Sequence, residues 1–255
     1  MTLEQRENAR LQKVVKSNAL IQRARYDLSI QQYKILTYVI SRIKPEDKEF
    51  YIQQFTLKEL CEVCGLSQHR QNLKYIADNI KKIRDISYWF ELYDKYILFT
   101  WFQSAKIDKT KNNLITIKLD EDLKEHLLSL SEFFTSYESG FIYPMKSEYS
   151  IHLYEILKSY ENLGTYTVEL EELKQLLMLS DKYDRYDNFR TKIIETALKE
   201  INEKTDIVIS YKPMREGRTI KKLRFTITQK ATAEAAITRI KNNELLEGNI
   251  KNDIE

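Results

Sequence analysis

Residues 181–228 combine one amphipathic helix with two strand-like runs that a short turn connects. Apolar residues recur at helical spacing from Phe189 to Ile201, so one face of this segment is committed to a core. β-branched and aromatic residues then dominate positions 207–211 and 220–227, a composition typical of paired strands. A proline and a glycine punctuate the connection between these runs. The pattern predicts a helix followed directly by a β-hairpin.

The hairpin carries a local excess of positive charge. Ser210 to Lys230 contains seven Lys or Arg residues and one acid, Glu216, whereas the whole chain has a net charge of only +3. The basic residues are Lys212, Arg215, Arg218, Lys221, Lys222, Arg224 and Lys230. One interpretation is a merely solvated face. The position directly after a helix favours nucleic acid, because a helix fits the major groove and a cationic hairpin reaches phosphates. Together the two elements outline a winged helix.

The same order of elements occurs earlier in the chain, which indicates an internal duplication. Residues 28–38 resemble residues 147–160, and each segment reads as an amphipathic helix with a serine that can cap it. Short helices predicted at 57–66 and 170–179 also align. A longer helix and then strands follow in both halves.

The strands of the first half are predicted at 86–92 and 96–102, with a third at 114–119. We interpret the first two as the wing of this half, which lacks the cationic excess of the second wing. Basic residues near the first and third helices of this half, Lys16 among them, are interpreted as a solvated surface.

We therefore predict an α+β fold of two tandem winged-helix domains related by internal duplication. The boundary is expected where Gly140 and Pro144 break the pattern. With 255 residues, the chain is long enough for two domains that each bury a core. The predicted segments are a flexible N-terminus at 1–13, an N-terminal domain at 14–140, a C-terminal domain at 141–230, and a C-terminal helix and tail at 231–255.

The two cysteines, Cys61 and Cys64, have a spacing that suits a redox pair or half of a zinc site. A structural zinc normally needs four ligands, and the three histidines, His69, His126 and His152, are scattered along the chain. Small buried residues on a helix are the better interpretation.

The sequence lacks the motifs of two classes of enzyme that act in DNA replication. A rolling-circle nicking enzyme needs a His-hydrophobe-His metal pair near a tyrosine, which the isolated histidines do not form. An ATPase needs Gly-x-x-x-x-Gly-Lys-(Ser/Thr), and the five glycines of the chain cannot form it. We predict no enzyme activity, no catalytic residue, no metal and no cofactor.

No apolar run approaches the roughly 18–20 residues that a membrane span needs, and the N-terminus is too polar for a signal peptide. A soluble, cytoplasmic protein with no membrane partner is expected.

Several short blocks resemble one family, the replication initiator (Rep) proteins of theta-replicating bacterial plasmids, which bind repeated origin sequences called iterons. Near the N-terminus, Val14–Ile21 and Tyr26–Ile35 resemble the opening signature of the family, an Asn-x-Leu-Ile strand end that leads to a Leu-(Ser/Thr) capped helix. The later blocks that resemble the family in the same order are Tyr149–Leu157, Tyr183–Phe189, Ala197–Asn202 and Gly217-Arg218. Together the blocks cover about residues 14 to 228.

The resemblance implies a plasmid replication initiator that opens its origin with host proteins. Its C-terminal domain would make the main sequence-specific contacts, while its N-terminal domain touches DNA and forms a dimer interface. The implied partners are double-stranded origin DNA with direct repeats, a second copy of the chain in an autorepressing dimer that gives way to a monomer on iterons, and the host initiator ATPase and replicative helicase. The alternative is a tandem winged-helix transcriptional regulator without an initiator role.

The resemblance also places the recognition helix on Asn188 to Asn202. The residues expected to read bases are Asn188, Arg190, Thr191 and Lys192. The residues expected to contact the DNA backbone, in the wing or just before the helix, are Arg185, Tyr186, Lys212, Arg215, Arg218, Lys221 and Lys222. Arg pairs bidentately with guanine and Asn with adenine, whereas Lys mainly neutralises phosphate. Because side chains alternate along a strand, Lys221 and Lys222 cannot both face DNA.

Overall fold

The structure is a computed structural model that describes residues 1–44, 46–66, 71–92 and 95–252. The first half contains α1 (Leu3–Arg10), β1 (Lys13–Ser17), α2 (Asn18–Arg23), α3 (Ile30–Ser41), β2 (Gln53–Thr56), α4 (Leu57–Cys64), α5 (Gln71–Asp85), β3 (Ser87–Leu92), β4 (Lys95–Thr100), β5 (Phe102–Asp108), β6 (Leu114–Leu119), α6 (Lys124–Leu127) and β7 (Phe134–Glu138). The second half contains α7 (Glu148–Ser159), β8 (Thr165–Glu169), α8 (Leu170–Leu176), α9 (Tyr186–Phe189), a π-helical segment (Arg190–Glu195), α10 (Thr196–Lys204), β9 (Ile207–Glu216), β10 (Thr219–Gln229) and α11 (Thr232–Asn252).

Short polar side chains begin the equivalent helices of the two halves. Ser147 Oγ accepts a hydrogen bond from the Ser150 amide at the start of α7. At the start of α3, the Ser29 amide donates to the Gln32 side chain at 2.8 Å, one half of a capping box. These contacts satisfy backbone donors that the first helical turn leaves without partners.

Each half contains a three-stranded sheet with the same order of strands. The first sheet runs β2-β6-β5 and the second runs β8-β10-β9, all antiparallel. In each half the strand after the equivalent helix, β2 after α3 and β8 after α7, pairs with the last strand of a hairpin. The duplication and the two winged helices predicted from the sequence are therefore present.

The first wing is not the predicted one. Among the described residues, strands β3 and β4 pair only with each other, from Ser87↔Thr100 to Leu92↔Lys95, and form a separate hairpin after α5. The hairpin that joins β2 is β5–β6, so it is the counterpart of β9–β10. Both hairpins have strand-like sequences, and only pairing with β2 distinguishes them. The β5–β6 hairpin and its turn carry three exposed lysines, Lys106, Lys109 and Lys111. The wing of the first half is therefore basic, unlike the hairpin assigned to it from the sequence.

The N-terminal segment predicted to be flexible is helical and well anchored. The side chain of Arg10, at the end of α1, is only 2% exposed. It donates hydrogen bonds to the carbonyl oxygens of Glu62 at 2.8 Å and Val63 at 3.0 Å, and to Glu247 Oε1 at 3.0 Å. A guanidinium that satisfies the last carbonyls of α4 acts as its C-terminal cap.

Helix α11 runs from Thr232 to Asn252 and so occupies most of the segment predicted to hold a C-terminal helix and tail. It returns across the molecule to the first half. Gly65 ends α4 with φ of 65°, and a Cβ atom there would lie 2.5 Å from Leu246 Cδ2. The positive φ favours glycine at this position, and a larger residue would also have to displace the end of the Leu246 side chain.

Both halves share one cluster of buried apolar residues. A buried ion pair lies where they meet: Lys16 Nζ on β1 is 2.6 Å from Glu155 Oε1 on α7, and the Tyr137 hydroxyl donates to the same oxygen. Lys16 is 1% exposed, so its interpretation as a solvated residue was wrong. Strand β1 pairs with β7, which places Lys16 inside rather than outside.

Cys61 and Cys64 are both completely buried on α4, as expected for small core residues. Burial raises the pKa of the Cys64 thiol, whose sulfur lies 3.6 Å from the Lys34 carbonyl oxygen. His126 and His152 are both buried and are 26 positions apart in the sequence, and His69 lies outside the described residues.

Within the described part of the chain, no helix combines the length and apolar character required to cross a bilayer.

Candidate nucleic-acid interface

The predicted recognition helix is one continuous helix from Tyr186 to Lys204, with the π-helical segment between α9 and α10. Its apolar stripe is buried as expected, at Phe189, Ile193, Ile194, Ala197 and Ile201. Asn188, Thr191 and Lys192 are exposed, and Arg190 is half-buried. The structure therefore leaves the four predicted base-reading residues on or beside the open face of the helix.

The helix is tied to the wing at its C-terminal end. Asn202 Oδ1 accepts from the Ile209 amide at 2.7 Å, and Asn202 Nδ2 donates to the Ile209 carbonyl at 3.0 Å. Lys230 Nζ donates to the Asn202 carbonyl at 2.7 Å and is only 8% exposed. Lys230, one of the seven basic residues of the hairpin, therefore holds the helix and the hairpin together rather than facing solvent.

The π-helical segment, Arg190–Glu195, lies within the predicted base-reading region. Here residues five apart approach each other, as when Thr196 Oγ1 donates to the Thr191 carbonyl at 3.2 Å. The sequence signal for this segment is weak, since its residues are compatible with an ordinary α-helix. π-helical turns occur frequently at functional sites.

Arg190 is flanked by two carboxylates that the sequence reasoning missed. Its Nε is 3.4 Å from Glu195 Oε1, and its Nη2 is 3.7 Å from Asp187 Oδ1. The side chains of Arg190 and Glu195 are 42% and 50% exposed. The pairing with Asp187 follows ordinary i,i+3 helix spacing and could have been found from the sequence.

The wing turns at Gly217 and Arg218, between the paired residues Glu216 and Thr219. Gly217 has φ of 61°, and no atom lies within 4 Å of the position that a Cβ atom would occupy there, so glycine serves the backbone conformation alone. A two-residue hairpin loop that begins with a positive-φ glycine matches the twist of the flanking strands.

The pairing of β9 with β10 divides the basic residues between two faces. Residues directly opposite each other in an antiparallel pair project from the same face. Lys212 is opposite Arg224, and Lys222 is opposite both Met214 and Glu169. These three cations share the outer face of the sheet, where Lys222 Nζ lies 2.6 Å from Glu169 Oε1. This ion pair raises the pKa of Lys222 and makes it a weaker phosphate candidate than Lys221.

The remaining basic residues face the recognition helix. Arg215 continues the alternation of the buried residues Ile207 and Ile209, and a register shift between Ile220 and Lys222 leaves Lys221 outside the regular pairing. Arg215, Arg218 and Lys221 line a cleft of about 670 Å³ together with Tyr186 at the start of the helix. The cleft is also lined by Lys174 and by four carboxylates, those of Glu169, Glu171, Asp184 and Asp187.

Arg185 and Tyr186 lie at the entrance to the helix. Arg185 is the exposed N-cap of α9. Tyr186 is half-buried, its hydroxyl oxygen is shielded from solvent, and burial raises the pKa of this hydroxyl. The structure thus brings four of the predicted residues, Tyr186, Arg215, Arg218 and Lys221, to one cleft. Arg185 and Arg190 lie on either side of Tyr186 along the helix, and Lys212 and Lys222 lie on the outer face of the sheet.

The sequence matches the models of two family domains, one in each half of the fold. Residues 13–158 match "Initiator Replication protein, WH1", and residues 169–227 match "Initiator Rep protein, WH2". The chain belongs to the initiator Rep protein family. This is a family of DNA-binding winged-helix proteins rather than of enzymes, and both of its winged-helix domains are represented here.

Known proteins resemble this initiator over most of its length. A replication initiation protein of Escherichia coli is 22% identical over 237 residues, which cover 87% of this chain and 71% of that protein. The crystal structure of Pi initiator protein in complex with iteron DNA superposes with a TM-score of 0.71 at 16% sequence identity, covering 86% of this chain and 98% of that chain. This structural likeness shows the shared two-domain fold.

Proposed function

We propose that this protein initiates plasmid replication by binding directly repeated origin DNA, with the recognition helix in the major groove and the β9–β10 wing on the adjacent backbone. The observation that carries the proposal is the cleft in which Arg215, Arg218 and Lys221 of the wing meet the start of the helix that bears Arg190. Membership of the initiator Rep family supports it, as does the likeness to an initiator solved with iteron DNA.

The chemistry of the side chains assigns their roles. Arg190 and Asn188 have the donor and acceptor patterns that distinguish guanine and adenine in the major groove, and Thr191 and Lys192 lie beside them. Arg185 is assigned to the phosphate backbone at the helix entrance, and the three wing cations to phosphates further along. The Tyr186 hydroxyl is shielded from solvent and is left out of this assignment. The outward positions of Lys212 and Lys222 leave them out of this assignment.

Strand opening is assigned to host proteins. The sequence contains no phosphate-binding Gly-x-x-x-x-Gly-Lys-(Ser/Thr) loop. In this proposal the chain contributes to strand opening through the free energy of DNA binding. In the proposed sequence of events, the bound initiator recruits the host initiator ATPase and the replicative helicase to the repeats. A transcriptional regulator without this role is the alternative on the same fold, and no feature of the described residues favours it.

Replacing Arg190 by alanine is expected to reduce the affinity for the direct repeats of the encoding plasmid by about 1–3 kcal/mol, with a smaller effect on scrambled duplex. The reason is the loss of a bidentate contact with a base. Fluorescence anisotropy with both duplexes at several salt concentrations measures the difference. Plasmid maintenance in cells that carry the variant tests initiation itself.

The matched control for this experiment is Lys241→Ala, which removes one exposed positive charge from α11. It should change neither duplex affinity appreciably. Equal binding of the wild-type protein to repeat and scrambled duplexes would refute sequence-specific recognition and, with it, the proposed function.

We also propose that a dimer formed through the N-terminal domain represses the gene of the initiator. The supporting feature is the outer face of the β3–β4 hairpin, where Trp89, Tyr96 and Leu98 are 61%, 69% and 47% exposed. Trp89 and Leu98 are directly opposite each other, and the Trp89 and Tyr96 rings lie 6.5 Å apart. A contiguous exposed apolar patch of this kind is typical of protein interfaces.

Replacing both Trp89 and Tyr96 by serine is expected to weaken dimerisation by about tenfold or more, because large aromatic side chains dominate interface energies. Analytical ultracentrifugation over a range of concentrations measures the monomer–dimer equilibrium. Tyr51→Ser, at an exposed tyrosine elsewhere in the same domain, is the control and should leave the equilibrium unchanged. A wild-type protein that stays monomeric at high micromolar concentration would contradict the proposed dimer.

A further inference from the structure

The pairing of Arg190 with Glu195 depends on the π-helical segment. In an α-helix, residues five apart point about 140° away from each other around the axis. In a π-helix, hydrogen bonds join residues five apart, so these residues lie on the same face. This local geometry brings Glu195 Oε1 to 3.4 Å from Arg190 Nε. The unusual turn therefore creates an arginine–carboxylate pair within the proposed base-reading surface.

A carboxylate at this position is unfavourable for simple DNA affinity. Glu195 is 50% exposed and lies on the same open side of the helix as Thr191 and Thr196. Phosphates near this face are repelled by its charge. Residues that weaken binding in general can improve discrimination, since specificity is a difference between two affinities.

The geometry also orients the guanidinium group of Arg190. Glu195 Oε1 pairs with Nε at an ion-pair distance without hydrogen-bond geometry, so the two terminal nitrogens of Arg190 lie outside this pair. Asp187, one turn earlier, lies 3.7 Å from Nη2 on the other side. Two donors of one guanidinium group are what bidentate contact with guanine requires, whereas contact with a phosphate of arbitrary position requires a freely moving side chain.

We propose that Glu195 is a positioning residue that determines the sequence specificity of the recognition helix. Glu195 holds Arg190 in the orientation for a base contact. It also opposes non-specific phosphate contacts, because Arg190 would have to break its pair with Glu195 to reach a phosphate. On a correct site the pair stays intact and Arg190 meets its base. On an incorrect site Arg190 lacks a base partner, and Glu195 repels the nearby backbone. This inference rests on the proposed function of the helix as a base reader.

Replacing Glu195 by glutamine tests the inference. The substitution retains the size of the side chain and removes its charge. Affinity for scrambled duplex is expected to rise by about five- to tenfold while affinity for the repeat duplex changes little, so the ratio of the two affinities falls by the same factor. In the Arg190→Ala background, the same substitution should change both affinities equally, because the group that Glu195 positions is then absent.

The matched control is Glu203→Gln, which removes one exposed carboxylate from the same helix away from Arg190. If Glu195→Gln raises both affinities by one common factor, as the control is expected to do, then Glu195 acts by general repulsion and the inference is wrong. A loss of both affinities together with a lowered melting temperature would show a structural role and also refute it. If wild-type protein does not distinguish the two duplexes, the proposed function fails first, and the inference fails with it.

Discussion

Replacing Lys16 by alanine is expected to lower the free energy of unfolding by about 3–5 kcal/mol. The substitution leaves the carboxylate of Glu155, which has no exposed surface, without the cation that lies 2.6 Å from it. Tyr137 still donates a hydrogen bond to this carboxylate, but a neutral donor does not replace a full charge. Because the ion pair connects β1 with α7, the loss should loosen the contact between the two halves. Chemical denaturation followed by circular dichroism measures it.

A neighbouring lysine of the same strand provides the control. Lys13 Nζ lies 3.4 Å from Glu138 Oε1, and the Lys13 side chain is 56% exposed. Lys13→Ala should therefore change stability by no more than about 1 kcal/mol. The double variant Lys16→Met with Glu155→Gln removes both charges and should recover much of the stability lost in Lys16→Ala. Equal effects of Lys13→Ala and Lys16→Ala, or no recovery in the double variant, would contradict the argument.

The largest expected effect on DNA binding follows from removing the three cations that face the recognition helix. The variant combines Arg215→Ala, Arg218→Ala and Lys221→Ala. If each residue contacts one phosphate, the slope of log affinity against log salt should fall by about 2.7, and affinity at 0.1 M salt by roughly 500-fold. The loss should affect repeat and scrambled duplexes similarly, since phosphate contacts carry no sequence information. Fluorescence anisotropy at several salt concentrations provides both quantities.

The opposite face of the same hairpin offers a control with an equal charge change. Lys212→Ala, Lys222→Ala and Arg224→Ala together remove three positive charges from the outer face of β9 and β10. This variant should change the slope by less than about one, because none of these three side chains lines the cleft. Equal slopes and affinities for the two triple variants would mean that only the total charge of the hairpin matters, and would contradict the assignment of a DNA-facing side.

The correct predictions rest on local patterns. The apolar stripe from Phe189 to Ile201 determined the buried face of the recognition helix, because helical spacing alone decides which residues share a face. Gly217 marked the wing turn, because few other residues adopt its positive φ. The resemblance of short blocks indicated the family, which the match to both of its domains then showed.

The incorrect predictions concern pairings between distant segments. The first wing was assigned to the hairpin before the correct one, because pairing with β2 depends on residues about 60 positions away. Lys16 was interpreted as solvated because its partner, Glu155, is 139 residues further on. The ordered N-terminus depends on contacts of Arg10 with α4 and α11, which no local pattern reveals.

The amino-acid sequence by itself determined the internal duplication and the positions of the recognition helix and its basic wing. These features depend on spacing and on backbone preference within a few residues. Only the tertiary structure decided which wing cations share the cleft with the helix, where Lys16 is buried, and that Arg190 is paired with Glu195. Register and burial result from packing between segments distant in the chain, and such packing is not encoded in any single stretch of sequence. The π-helical turn is local, but its residues are equally compatible with an ordinary α-helix.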